Sequence, residues 1–180
     1  MQFLLRLVAC SEGCDSTFAI MLIMSSILFV CTGNLYRSPM AAAFFKRKLG
    51  ESGQTHGWVV GSAGTWTESG QPVPQKVLLV ASQMSINLSN HETQQIDRDL
   101  LIQHDLVVVM EKGHKEALGI EFPFVSNKLH LLSELGDQLS YDIPDPVHSN
   151  QEFSEIAVQI SRLIDRSFHR ICLLIEQYSM

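Results

Sequence analysis

Ile27-Leu28-Phe29-Val30-Cys31-Thr32-Gly33-Asn34-Leu35-Tyr36-Arg37-Ser38-Pro39-Met40-Ala41-Ala42-Ala43-Phe44-Phe45 reads as a buried strand, a tight loop and a helix. The apolar run ends at a cysteine, Gly33 interrupts the pattern, and Ser38-Pro39 opens an alanine-rich segment of high helical propensity. Such a loop can wrap an anion. Backbone N–H groups at a helix start lack partners within the helix, and the helix dipole adds positive potential there. Gly33 lets the backbone turn sharply. Arg37 can grip two phosphate oxygens with parallel hydrogen bonds, a geometry denied to lysine. Asn34 and Ser38 can brace the loop through their side chains. The same field favours the thiolate of Cys31, which makes it a nucleophile aimed at a bound phosphorus.

The rest of the chain alternates strands and helices. Ser26–Val30 is expected as the first strand and Ser38–Leu49 as the helix after it. Trp58-Val59-Val60, within His56–Gly61, forms a second strand. Pro72 and Pro74 break the chain and open a helix to about Met84. Thr93–His104 reads as a further helix. Leu106-Val107-Val108-Val109-Met110 has the continuous β-branched character of a strand buried on both faces. Lys112–Gly119 reads as a short helix and Lys128–Leu132 as a fourth strand. Gln151–Gln177 carries Phe153, Ile156, Ile160, Leu163, Ile164, Ile171 and Leu174 at helical spacing, so a long amphipathic helix closes the chain. Alternation of this kind implies a parallel sheet covered on both sides, with ligands at the carboxyl ends of its strands. Cys31 follows the first strand and is placed there.

Composition narrows the function. With 180 residues, 46% hydrophobic and 18% charged, the chain suits one globular domain with a sizeable core. A net charge of −6 argues against general nucleic-acid binding. No run reaches the ~18 apolar residues of a membrane span. The four cysteines, Cys10, Cys14, Cys31 and Cys172, are too few for a disulfide scaffold in a chain this long. Cys10 and Cys14 have no second ligand pair nearby, so no metal is expected. Cys172, in the apolar C-terminal helix, is read as a core residue. Leu7-Val8-Ala9-Cys10 has the form of a lipoprotein cleavage box, but Arg6 interrupts the short apolar stretch before it. Residues 1–24 are read as an N-terminal extension or a misassigned start, and 25–180 as the domain. A working thiolate needs a reducing compartment, so the cytoplasm is expected.

The segment Ile27–Pro39 resembles the active-site loop of the low-molecular-weight protein tyrosine phosphatases. Ser62-Ala63-Gly64-Thr65 is similar to a Ser-Ala-Gly-Thr segment after that family's second strand. Asn87-Leu88-Ser89-Asn90-His91 resembles its Ser-x-His stretch, and Tyr141-Asp142-Ile143-Pro144-Asp145-Pro146 resembles its acid loop. The resemblance implies an α/β, flavodoxin-like three-layer sandwich with a four-stranded parallel sheet. It also implies hydrolysis of phosphotyrosine or other aryl phosphate monoesters through a phosphocysteine, without metal or cofactor. Cys31, Arg37 and Asp145 would be catalytic, Asp145 as general acid in preference to Asp142. Thr32, Gly33, Asn34, Leu35, Tyr36, Ser38, Ser62 and His91 would bind phosphate or support the loop. Asn34, Ser38, Ser62 and His91 would share one hydrogen-bond network. The partner would be a phosphotyrosine protein or a small aryl phosphate, with neither nucleic acid nor membrane involved. Trp66 is placed either at the pocket mouth or as a half-buried packing residue.

Two positions depart from the family pattern. Tyr36 stands where many members carry a second cysteine, which leaves Cys31 open to sulfenic and sulfinic oxidation. Val147-His148 stand where an aromatic residue often follows Asp-Pro. Three rival functions stand beside the leading one. A phosphoarginine phosphatase on the same scaffold usually has Thr at the position of Leu35, and an apolar Leu35 suits a phenyl ring instead. Arsenate reduction needs two further thiols, and no cysteine lies between residues 32 and 171. A non-catalytic phosphate-binding module would not need an intact Cys31, Arg37 and Asp145.

Overall fold

Alternating apolar side chains on two central strands divide the core into two layers. The computed structural model describes residues 24–178. The expected extension therefore lies, Met24 apart, outside the described residues, as do Cys10 and Cys14. The strands β1 (Ser25–Cys31), β2 (Trp58–Gly64), β3 (Leu106–Val109) and β4 (Leu129–Leu131) form one parallel sheet in the order β2-β1-β3-β4. The helices are α1 (Arg37–Glu51), α2 (Gln75–Gln83), α3 (Arg98–Ile102), α4 (Lys112–Glu121), α5 (Leu132–Asp137) and α6 (Phe153–Tyr178), with a 3-10 turn over Pro123–Lys128. Ile27 and Phe29 of β1, with Leu106 and Val108 of β3, face α1, α2, α5 and α6. Leu28, Val30, Val107 and Val109 face the opposite layer, which holds Leu101, Leu118 and Val125. Period-two alternation in strands buried on both sides produces this split. The flavodoxin-like three-layer sandwich is thus what the chain forms.

The strand order reverses between β1 and β3. Cys31 ends one of these strands and Glu111 lies two residues beyond the end of the other. A crevice at such a reversal, at the carboxyl ends of the strands, is where open α/β sheets take their ligands.

Three expectations need correction. Thr93–His104 is not one helix. Only Arg98–Ile102 is helical, capped by Asp97 Oδ1, which accepts from Leu100 N at 2.7 Å. Thr93–Ile96 runs extended past the end of β2 instead. Gly64 N donates to Gln94 O at 2.8 Å and Ile96 N to Gly64 O at 2.9 Å. Backbone pairing at the sheet edge outweighs helical propensity here. The second strand also runs on through Ser62-Ala63-Gly64, because β1 pairs with it as far as Cys31↔Gly64. Cys172 is half-buried rather than a core residue; its thiol, 4.0 Å from Gln54 Oε1, is pushed up to about 11 by burial. Among the described residues no helix is long and apolar enough to cross a membrane.

Gly64 is where the sheet touches the Cys31 loop. A Cβ there would lie 2.6 Å from Thr32 O and 3.1 Å from Asn34 N. Both are backbone atoms with no freedom to swing away. Gly64→Ala is therefore expected to cost about 1–3 kcal/mol of stability through overpacking, read as a lower midpoint in urea. An unchanged midpoint would show that the loop moves aside freely.

His91, His104, His114 and His130 are all held below the ordinary imidazole range, in each case chiefly by burial. Each therefore binds fewer protons folded than unfolded just below about pH 6.5. Their contribution is complete above the unfolded value and is lost as pH falls through about 6.5 toward the folded values. Urea midpoints should drop between about pH 7.5 and pH 5.5. A midpoint that rises over that window would contradict this burial.

Candidate active site

The loop after β1 is shaped by a buried asparagine. Asn34 is fully buried and has φ +52°, a left-handed conformation that asparagine tolerates better than most residues. Every polar group of its side chain is used. Nδ2 donates to Ser38 Oγ at 2.9 Å and to Ser62 Oγ at 3.0 Å. Oδ1 accepts from Gln94 N at 2.9 Å. His91 Nε2 lies 2.9 Å from the Asn34 carbonyl and must carry the proton there, since a carbonyl only accepts. The four residues that the resemblance groups into a network are thus joined by direct hydrogen bonds. Gln94 belongs with them, and reading 93–104 as a helix hid it.

Further carbonyls of the loop are held from outside. Thr65 N donates to Cys31 O at 2.9 Å, Trp66 N to Thr32 O at 3.0 Å and Met40 N to Tyr36 O at 3.0 Å. In a trans peptide the C=O and N–H point in opposite directions. The N–H groups of Thr32, Gly33, Leu35 and Arg37 therefore face away from these partners, an arrangement able to act as a nest for an anion.

Cys31 sits at the base of that nest, 2% exposed. Its Sγ is 3.0 Å from Ser38 Oγ. The Ser38 hydroxyl has one proton and two acceptors within reach, the sulfur and Ala63 O at 3.2 Å. Because Asn34 Nδ2 occupies a lone pair of that oxygen, the proton is free to turn to the sulfur when negative charge develops there.

Arg37 is the largest fully buried side chain and is 2% exposed. Its Nη1 donates to Glu111 Oε1 and to Ile143 O at 3.0 Å. Its Nη2 donates to Asp145 Oδ2 at 2.5 Å and to Thr32 Oγ1 at 3.2 Å. A buried guanidinium requires such partners. Thr32 Oγ1 also meets His114 Nε2 at 3.0 Å, and that nitrogen is 3.9 Å from Glu111.

The two acid-loop carboxylates separate in space. Asp145 lies on Arg37, while Asp142 Oδ1 accepts from Lys112 N at 2.7 Å and holds the start of α4. Glu111 and His114 were absent from the sequence reading. The signal for Glu111 is its place: an acid directly after the apolar run Leu106–Met110, at the same sheet end as Cys31. Leu35 is partly exposed at the loop. Trp66 is 84% exposed and so is not a half-buried packing residue; its backbone bond to Thr32 keeps it beside the loop. Among the described residues no cluster of three or more His, Cys, Asp or Glu side chains could hold a metal ion.

Comparison with known proteins gives the same picture from outside. The family model described as low molecular weight phosphotyrosine protein phosphatase matches residues 26–177. A probable low molecular weight protein-tyrosine-phosphatase of Ralstonia solanacearum is 32% identical over 149 residues, 82% of this chain and 97% of that protein. A protein-arginine-phosphatase of Geobacillus stearothermophilus is 33% identical over 141 residues, 78% and 91% of the two chains. Among solved structures, a low molecular weight protein tyrosine phosphatase from T. tengcongensis superposes with a TM-score of 0.74 at 31% identity, covering 81% of this chain and 99% of that one. With residues 26–177 matched by the family model, this chain belongs to the low molecular weight phosphotyrosine protein phosphatase family.

Proposed function

We propose that this enzyme hydrolyses phosphotyrosine and related aryl phosphate monoesters through a phosphocysteine on Cys31. The observation that carries this reading is the pairing of a buried guanidinium with the Asp145 carboxylate at one end of the loop whose other end bears the Cys31 thiol. The phosphoryl oxygens take the N–H groups and the Nη donors of Arg37. In doing so they displace Asp145 from Nη2 and leave its carboxyl free to serve the leaving oxygen. Once off Arg37, Asp145 takes up a proton from solvent; the Cys31 thiolate then attacks phosphorus, the P–O(aryl) bond breaks, and Asp145 gives that proton to the departing phenolate. Water then attacks the phosphocysteine, Asp145 takes its proton, and the S–P bond breaks with the Ser38 hydroxyl steadying the returning thiolate. Glu111 stays on Nη1 and keeps the guanidinium plane in place. No step in this route calls on a metal or cofactor.

Leu35 and Trp66 form the rim of the pocket in this reading, and an apolar wall suits a phenyl ring. The kinship with a protein-arginine-phosphatase makes phosphoarginine the substrate to test beside phosphotyrosine. A thiol without a neighbouring cysteine in its loop needs a reducing environment, so we place the enzyme in the cytoplasm. Its partners are phosphotyrosine proteins or small aryl phosphates.

Phosphate release from a phosphotyrosine peptide and a phosphoarginine peptide, assayed side by side with reductant, tests the substrate reading. Turnover of phosphotyrosine is expected; turnover of phosphoarginine alone would overturn the substrate while keeping the chemistry. Cys31→Ser should abolish turnover yet retain phosphate binding. Asp145→Asn should lower kcat by about 10²–10⁴-fold. A Cys31→Ser protein as active as the parent would rule out the phosphocysteine. Leu35→Thr should shift the ratio of the two activities toward phosphoarginine, and an unchanged ratio would show that the rim at 35 does not select the substrate.

A further inference from the structure

Tyr36 ends the phosphate loop, and its backbone caps α1. Its side chain turns inward, 6% exposed. The ring meets that of Phe153 edge-on, with centroids 5.0 Å apart, and the hydroxyl donates to the main-chain carbonyl of Phe153. Burial pushes the phenol well above its ordinary range, which keeps the hydroxyl a donor. Phe153 is the first residue of α6, and Lys76 Nζ covers its ring at 4.2 Å. One side chain thus joins the starts of α1 and α6.

The acid loop hangs between two attachments. Before Asp145, Ile143 N donates to Met110 O at 2.9 Å and Asp142 binds the start of α4. After Asp145 the hydrogen bonds are local: Val147 N to Asp145 Oδ1 at 3.0 Å, His148 N to Asp145 O at 3.0 Å, Gln151 N to Ser149 Oγ and Glu152 N to Glu155 Oε2, both at 3.4 Å. Among the described residues, Tyr36–Phe153 is the first long-range hydrogen bond after Asp145 itself. A short segment fixed at both ends has far fewer conformations than one fixed at a single end.

We propose that Tyr36 is a positioning residue, a staple from the phosphate loop to α6 that sets where Asp145 stands relative to the leaving oxygen. This rests on the function proposed above, in which Asp145 delivers the proton as the P–O(aryl) bond breaks. The staple does not shape the nest, which the Asn34 network holds separately. Its loss is therefore felt at the proton, in proportion to how much the leaving group needs one.

Tyr36→Phe tests this, because it keeps the ring contact and removes only the hydroxyl. kcat/KM, which reports the phosphorylation of Cys31, should fall about tenfold for phenyl phosphate, a fraction of what general acid catalysis supplies. The loss should be clearly smaller for p-nitrophenyl phosphate, whose leaving group needs little protonation, and inhibition by inorganic phosphate should change less than about twofold, since the nest is held by the Asn34 network. Amide exchange at residues 147–153 should quicken. Equal losses for both esters, or no loss for either, would overturn the staple. If the parent enzyme releases no phosphate from either ester, the proposed function fails. The exchange data then decide the staple alone, faster exchange supporting it and unchanged exchange overturning it.

Discussion

A guanidinium cannot be taken out of water without anionic partners, and Arg37 is almost wholly out of water. That requirement organises the site. Glu111 is drawn from the end of β3 and Asp145 from the acid loop, far apart in sequence, onto the two Nη atoms of one side chain. Breaking such a pair by removing one partner is costly, because the other charge stays buried. Arg37 therefore ties the site together. In the proposed mechanism a phosphate oxygen takes the place of Asp145 on Nη2, so the guanidinium stays satisfied.

The second constraint is the shape of the loop, and it is met by neutral hydrogen bonds. Asn34 takes a left-handed backbone and spends its whole side chain on Ser38, Ser62 and Gln94. A fully satisfied buried network of this kind specifies one conformation. Its members come from the loop, the start of α1, β2 and the segment after α2, so the loop is tied to the sheet. Gly64 lets the end of β2 come close enough to Thr32 and Asn34 for this to happen. Shape and charge are thus supplied by different residues, and a change in one need not damage the other.

Much of this was legible in the residues. Cys31, Gly33, Arg37 and Ser38-Pro39 between an apolar strand and an alanine-rich helix contain their own physical reason for binding an anion. β3 and α6 were legible because a β-branched run and a long amphipathic period are strong signals. The acid loop needed family resemblance, since an Asp between prolines is by itself a turn signal. What sequence did not show was set by tertiary pairing. Thr93–Ile96 looked helical, yet its backbone is claimed by Gly64 and by Asn34. Glu111 takes its role only from the neighbouring strand, which brings Arg37 beside it. Tyr36 reads in sequence as a loop residue in place of a cysteine, because its partner is a carbonyl more than a hundred residues away.

The central claim is that phosphate leaves its ester by way of Cys31. Mass spectrometry of Asp145→Asn protein quenched during turnover of an aryl phosphate tests it most directly, since loss of the base that activates water should let the intermediate accumulate. The account predicts one phosphoryl group on the peptide containing Cys31, dependent on substrate. Product formation with no label there, or a label on another side chain, would contradict it.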